Sequence, residues 1–320
     1  MQGILGPLYP WLAPPLILGV AVLINQLLPD RWLLTHKLGT VADAIADKVI
    51  HPYRDGAQQR LAGLLAMMII LLPATGVLWA AISLAAYPEP FHVLLIALCL
   101  PGRAQQLEHR AMVSQLHSGQ KGRARQALAP FTLRRTDNLS EVGLVKAGIE
   151  SRLVHEATAT FSWLLFYPLF GLELAFAIWL IQQLARQWTP LKSRTRFFGQ
   201  GVARISHWLQ LPVNALLALT LSLYGRPLAG WRELKGIKQA LPGGVHWPQI
   251  AMAHHLGAQL GGPWMLEDRR LERPRLGPPQ TPAAHHLLRA DKLLQLARWL
   301  WISLLLLGGG ALAMALNGAL

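Results

Sequence analysis

Long apolar runs alternate with polar stretches along the whole chain. A helix crosses the hydrocarbon core of a bilayer with about 20 predominantly apolar residues. Several of the runs reach that length and carry few or no charges, so the pattern predicts a polytopic membrane protein with about four to six apolar segments. The runs are Trp11–Leu28, Leu61–Tyr87, Phe91–Leu100, Phe161–Leu184, Leu209–Tyr224 and Ala297–Leu316.

Two of these runs contain helix-breaking residues. The sequence YPLFG occupies residues 167–171 in the fourth run, and LPVN occupies residues 211–214 in the fifth. Irregular backbone is tolerated at membrane depth where it is buried in protein or lines a cavity, so we expect both segments to be re-entrant or interfacial. That arrangement keeps the loop 186–208, which has five basic residues and no acidic one, on the side of the other basic stretches, as the positive-inside rule requires.

Three polar stretches, 101–158, 186–208 and 225–295, separate the apolar runs. Apolar residues recur at helical spacing in the first stretch, and Ser140 stands where a helix cap is expected. Since no stretch alternates as a strand does, the chain is predicted to be all-α, with a single integral-membrane domain over residues 1–320. The first and third stretches hold most of the arginines and lysines, so we expect them to meet on the cytoplasmic face and form the functional site.

The composition supports a membrane location. Hydrophobic residues make up 52% and charged residues 14% of the chain, whereas soluble domains carry about 25% charged residues. Twelve tryptophans suit the interface between hydrocarbon and water, and the net charge of +14 indicates basic cytoplasmic loops and anionic lipid rather than nucleic acid. The first 29 residues carry no charge, so no cleavable signal peptide is expected. The single cysteine, Cys99, excludes an intramolecular disulfide.

The segment HWPQIAMAHHLGAQLGGPW, residues 246–264, is rich in small residues and histidine, unlike its surroundings. Small residues allow backbones to approach closely, so the segment fits a helix-packing role. It also fits a ligand-facing helix whose LGGPW end presents backbone amides to an anion. The adjacent histidines at 254–255 and 285–286 point to different helix faces, so no metal site is predicted.

The same segment resembles the carboxy-terminal signature of the adenosylcobinamide-phosphate synthase family, the CobD/CbiB-type membrane proteins of cobalamin biosynthesis. A second segment, residues 133–151, is similar to the family's Arg-Asp-Thr and Glu-Thr/Ser region. The sequences at 28–32, 101–116 and 272–277 resemble further family elements, so the resemblance covers nearly the whole chain. The matching residues are Trp247, Pro248, Ala251, Met252, Ala253, Leu256, Gly257, Leu260, Gly261, Gly262 and Pro263 in the first segment, and Arg134, Thr136, Leu139, Glu150 and Ser151 in the second.

The resemblance implies an ATP-dependent, amide-forming ligase that joins the free propionate of adenosylcobyric acid to aminopropanol or its phosphate. It implies ATP and Mg²⁺ as cofactors, a corrinoid as substrate, and membrane lipid and other cobalamin-assembly enzymes as partners. It also implies a multi-pass protein of the bacterial inner membrane. The implied catalytic residues are Glu150 and Thr136, and the implied substrate- and phosphate-binding residues are Arg103, Arg134, Arg204, Trp247, Gly257, Gly261, Gly262 and Pro263.

The chain departs from the family pattern at several acidic positions. His155 and Thr158 stand where the family has asparagine and aspartate, and Ser206 and His207 replace two aspartates. Carboxylates are the groups that bind magnesium, and several of the family's are missing here. A second hypothesis is therefore a non-catalytic membrane homologue with a regulatory or sensing role, like AmpE. Arg186 lies in the segment that departs furthest from the family, so its replacement is expected to have little effect.

Overall fold

The computed structural model of the protein describes residues 9–51, 53–225, 227–236, 242–267 and 269–317. Within these ranges the chain forms twelve α-helices and four very short strands, which confirms the prediction of an all-α membrane protein. The helices are α1 (Tyr9–Asn25), α2 (Leu34–Val49), α3 (Gly56–Ser83), α4 (Glu89–Cys99), α5 (Ala104–His117), α6 (Lys121–Leu128), α7 (Glu141–Glu156), α8 (Ser162–Gln187), α9 (Gln200–Leu223), α10 (Pro227–Gly236), α11 (His246–Leu256) and α12 (His285–Asn317).

The predicted apolar runs coincide with most of α1, α3, α4, α8, α9 and α12. Among the described residues, three helical segments are long and apolar enough to cross a membrane: Gly56–Ser83, Glu141–Gln187 and His285–Leu312. The second of these joins α7 and α8 through a π-helical turn at Ala157–Phe161. Ser140 caps α7, since its hydroxyl accepts a hydrogen bond from the Gly143 amide at 3.2 Å, as the sequence predicted.

The predicted break in the fourth apolar run is confirmed. Gly171, inside α8, has φ 79° and ψ −178°, a backbone conformation that interrupts the helix and that glycine adopts readily. Beyond the break the chain returns towards its starting point. The evidence is a hydrogen bond across 28 residues, in which the Arg186 guanidinium donates to the Thr158 hydroxyl at 3.4 Å. The two ends of the segment therefore lie together, and the basic loop that follows α8 joins the side of the molecule that holds the other polar stretches.

The irregular backbone expected at LPVN is not found. Pro212 lies within α9, which continues as a helix to Leu223. An interior proline removes a backbone hydrogen bond and costs about 3 kcal/mol. Packing offsets this cost, because α9 lies along α11 with fully buried apolar side chains and the Asn214 amide donates to the Gly243 carbonyl at 2.6 Å. The buried apolar residues are Val213, Leu217 and Leu221.

Four strands, which the sequence did not predict, follow α11. They are β1 (Leu260–Gly261), β2 (Trp264–Leu266), β3 (Arg269–Leu271) and β4 (Arg275–Leu276). The strands β1 and β4 pair antiparallel, as do β2 and β3. Elements of two or three residues are too short to show the alternation of apolar and polar positions that marks a strand. They nevertheless matter, because they fix the backbone around Gly261 beside α7.

A buried ionic network connects three helices of the core. On α7, Arg152 pairs with Glu156 and its Nε lies 3.5 Å from Asp291 Oδ1 of α12. The Arg298 guanidinium, also on α12, donates to Glu156 at 2.8 Å, and His109 of α5 contacts Asp291 at 3.0 Å. All five residues of the network are buried, with at most 7% of their surface exposed. The pattern of the sequence did not predict these pairs, since up to 182 residues separate the partners.

We expect Glu156→Ala to lower the free energy of unfolding by about 3–5 kcal/mol, because it leaves two buried arginines without their shared carboxylate. Glu272→Ala is a suitable control: Glu272 is an exposed partner of Arg270, and such surface pairs contribute about 1 kcal/mol or less. Unfolding of both variants in detergent micelles with increasing denaturant measures the difference. Equal losses would show that the network contributes no more than a surface pair.

Candidate functional site

Glu150 lies at the point where the first and third polar stretches meet. It is on α7 and is 2% exposed. One carboxylate oxygen accepts a hydrogen bond from the Gly261 amide at 2.8 Å. The other accepts from the Arg134 guanidinium and from Arg273 Nη1, the latter at 3.4 Å. These contacts confirm the prediction that the stretches 101–158 and 225–295 come together.

Two arginines share one aromatic ring beside Glu150. The guanidinium carbons of Arg134 and Arg273 lie 4.4 Å and 3.9 Å from the centroid of the Trp264 ring. Arginine over an indole face gains a cation–π attraction that holds the guanidinium plane in place. The Trp264 indole nitrogen is buried and has no hydrogen-bond partner among the described residues. The cluster thus combines two fixed cations, one carboxylate and an unused donor.

The charge of this cluster comes from arginine rather than histidine. Burial lowers the pKa of Arg273; the Glu150 carboxylate opposes this effect and the Arg134 guanidinium adds to it. Burial also lowers the pKa of the nearby His246, and the positive charge of Arg273 lowers it further. An ordinary histidine has a pKa of about 6.5, so His246 is neutral at pH 7. An anionic ligand would relieve the repulsion between the two arginines.

The cluster forms one wall of a cavity of about 820 Å³. This volume falls in the range of small-molecule sites, about 300–1,000 Å³. Its other walls come from α2, α7, the end of α8, the loop after α8 and the first half of α9. The charged residues that line it are Arg134, Arg186, Lys192, Arg273, Asp30 and Glu150. The cavity is therefore basic, with four cations facing two carboxylates.

Comparison with known proteins places the chain in a family. The family model described as "CobD/Cbib protein" matches residues 18–294. The chain belongs to the CobD/CbiB family. Proteins named "Cobalamin biosynthesis protein CobD" are similar to it: 30% identical over 296 residues in Chromobacterium violaceum (90% of this chain, 95% of that protein) and 29% over 271 residues in Stutzerimonas stutzeri (83% and 88%). The similarity to the Synechocystis protein of the same name is 26% over 288 residues, 84% of each chain. No solved structure matches significantly.

The membership bears out the resemblance drawn from the sequence. The family match covers most of the chain, including the segments at 133–151 and 246–264. The relatives are cobalamin biosynthesis proteins, which indicates a biosynthetic role for the family.

The residues implied by the family resemblance fall into two groups. Glu150 and Arg134 line the cavity and contact each other. Thr136 is buried but outside the cavity wall, and its carbonyl accepts from the Leu139 amide at 3.1 Å. Arg103 and Arg204 are both exposed and also lie outside the wall.

In the segment 246–264, Gln249 and Trp264 lie on the cavity wall, whereas the three glycines lie behind Glu150. Gly257, with φ 66°, ends α11, and Gly261, with φ 69°, directs its amide at Glu150. The Gly262 amide donates to the Pro274 carbonyl at 3.0 Å. Pro263 is exposed, and Trp247 packs against Gly244. At Gly261 and Gly262 the structure shows close packing of backbones, and the anion that the Gly261 amide meets is the protein's own carboxylate.

Sequence reasoning did not single out several residues of the cavity wall. Among them are Trp264, Arg273 and Gln249, and the Gln249 amide oxygen accepts from Arg273 at 3.3 Å. The family-like sequence ERPRLG contains Arg273, so that signal was available. Arg186, expected to be unimportant, lines the same cavity as Arg134. The break at Gly171 is the reason, because it returns the end of α8 to Thr158.

Proposed function

We propose that this protein is an ATP-dependent ligase of cobalamin biosynthesis that joins the propionate of adenosylcobyric acid to aminopropanol or aminopropanol phosphate. The observation that carries the proposal is the basic cavity at the junction of the two family-like segments. A reaction between two carboxylate- or phosphate-bearing substrates needs cationic donors fixed at the point where negative charge develops. Arg134 and Arg273, held by Glu150 and Trp264, are such donors.

The donor set suits phosphate better than a protein-held metal. Arginine guanidinium groups bind phosphate oxygens in pairs of parallel hydrogen bonds. The described residues contain no group of three or more histidine, cysteine or acidic side chains that would hold a metal ion. Magnesium that arrives with a nucleotide keeps several waters and uses one or two protein carboxylates. Asp30, a cavity carboxylate with no ion pair among the described residues, would be that ligand.

Each residue then has a definite task. When bound, ATP supplies the phosphoryl group that activates the carboxylate for attack by the amine. Arg134 and Arg273 offset the charge on the transferred group, and the Trp264 indole donates its unused N–H to the same group. Glu150 has donors on both oxygens, so its role is to position the two arginines rather than to move a proton. Thr136 supports the segment that carries Arg134.

The location and orientation of the protein in the membrane fit this function. Three apolar helical segments anchor the chain, and we place it in the bacterial inner membrane with the cavity on the cytoplasmic side, where ATP is available. The basic loops on the cavity side agree with the positive-inside rule. The regulatory alternative has no comparable support, because the relatives are named for cobalamin biosynthesis.

Complementation tests the proposal in cells. A strain that lacks its own synthase and receives adenosylcobyric acid as sole corrinoid precursor should make cobalamin when it carries this gene. The purified protein should form the amide product only when ATP is supplied. Growth failure together with the absence of product in vitro would reject the ligase and leave the non-catalytic homologue as the better account.

A further inference from the structure

A second polar wall of the cavity lies away from Glu150, where α8 ends and α9 begins. Arg186 belongs to the last turn of α8, and Lys192 lies in the loop that follows. Among the residues from 183 to 210 that line the cavity, none is acidic. The polar members of this wall are Gln183, Arg186, Gln187, Thr189, Lys192, Ser206, His207 and Gln210.

Arg186 differs from the other arginines of the cavity. Arg134 and Arg273 both pair with Glu150. In the described parts of the chain, no carboxylate oxygen lies within 4.0 Å of the Arg186 guanidinium, whose protein hydrogen bond is the 3.4 Å contact with the neutral Thr158 hydroxyl. A cation facing a cavity without a counter-charge attracts an anion, and the planar guanidinium matches phosphate or carboxylate oxygens.

Two amides on the same wall also lack partners. Gln210 is 4% exposed, and within the described residues neither its amide oxygen nor its amide nitrogen has a hydrogen bond. Gln183 is 9% exposed, and its amide nitrogen has no hydrogen-bond partner within the described residues. A buried polar group left without a hydrogen bond costs about 1–3 kcal/mol. Two such amides beside an unpaired arginine indicate that a ligand supplies the missing partners.

We propose that Arg186, Gln183 and Gln210 form a second oxyanion subsite, which binds a phosphoryl group of a substrate. This inference rests on the proposed function for the identity of the substrates, but not for the anion itself. The cavity has cations at two places: Arg134 and Arg273 beside Glu150, and Arg186 on the second wall. Each place binds one phosphoryl group, so the cavity accommodates two phosphoryl-bearing substrates at once. One source is the nucleotide and the other is the phosphate ester of the amino alcohol.

Binding measurements on the purified full-length protein in detergent test the subsite. The probes are ATP, aminopropanol phosphate and unphosphorylated aminopropanol, each titrated into wild type and Arg186→Gln. We expect the variant to bind one of the two phosphoryl compounds at least tenfold more weakly and aminopropanol unchanged. The compound that is weakened identifies the source of the phosphoryl group. Arg186→Lys, which keeps the charge but not the planar fork, should recover part of the loss.

Arg196→Gln is the matched control, because Arg196 is exposed ten residues further along and stacks on Phe197 instead of lining the cavity. Gln210→Met adds a variant that does not depend on the arginine. Removing an unpartnered buried amide should raise the unfolding temperature and, if the subsite exists, weaken binding of the same phosphoryl compound severalfold.

The outcomes separate the subsite from the ligase. Wild-type affinity for both phosphoryl compounds in Arg186→Gln and Gln210→Met overturns the subsite, while amide formation by wild type would still support the ligase. Phosphoryl binding that depends on Arg186 without any amide product supports the subsite and rejects the ligase. A wild-type protein that binds neither ATP nor aminopropanol phosphate rejects both.

Discussion

Replacing Arg134 by alanine is expected to weaken binding of ATP or aminopropanol phosphate at least tenfold, about 1.4 kcal/mol. Arg134 is buried, pairs with Glu150 and stacks on Trp264, so its guanidinium is already fixed before a ligand arrives. A charge-assisted hydrogen bond from such a group contributes about 1.5–3 kcal/mol. Calorimetric titration of the purified variant measures the loss, and amide formation should fall at least as far.

The adjacent arginine provides a closely matched control. The Arg135 side chain is 51% exposed and pairs weakly with Asp137 at 4.0 Å. Its backbone amide donates to the Met265 carbonyl, a contact that alanine keeps. Arg135→Ala should therefore leave binding within about twofold, less than 0.5 kcal/mol. If the two variants behave alike, the phosphate group does not sit at the Arg134 cluster.

The second large effect is expected at Gly261. A Cβ on this residue would lie 2.3 Å from the Pro274 carbonyl oxygen, and φ is 69°, a conformation that side chains disfavour. Gly261→Ala should therefore displace the backbone amide from Glu150 and release the two arginines that Glu150 holds. We expect a loss of several kcal/mol in unfolding free energy, because the clash adds to a left-handed backbone cost of about 1–2 kcal/mol. Ligand binding should fall with it.

Gly257→Ala separates the steric clash from the cost of the left-handed backbone. Gly257 has nearly the same φ, 66°, but a Cβ there meets nothing within 4 Å. The variant should lose only the backbone cost, about 1–2 kcal/mol, and should keep its ligand affinity. Thermal unfolding of both variants in the same detergent, followed by nucleotide titration, makes the comparison. Similar unfolding temperatures would mean that Pro274 moves aside and that the close approach at Gly261 is not required.

The sequence was most informative where a property is local. An apolar run of bilayer length specifies a membrane helix without reference to the rest of the chain, which is why α3 and α8 coincide with predicted runs. The break at Gly171 follows from the local preferences of proline and glycine. At Pro212 the same argument failed, since burial against α11 outweighs the local preference of one residue.

The candidate site could be predicted only in part. Family-like sequence identified Glu150 and Arg134, but pairing with Arg273 depends on contacts across 123 residues. The position of Arg186 depends on how far the chain returns after Gly171, which no pattern of apolar residues specifies. Amphipathic spacing cannot distinguish an arginine that faces lipid headgroups from one that faces a cavity.

The ionic network also constrains how the protein is made. Asp291 and Arg298 belong to the last helix, which leaves the ribosome long after Arg152 and Glu156 of α7. Until that helix arrives, Arg152 lacks its aspartate and Glu156 lacks its second arginine. The network of α7 is therefore complete only after α12 has been made. A nascent chain truncated before residue 291 would keep the Arg152–Glu156 pair but would lack both of its partners from α12.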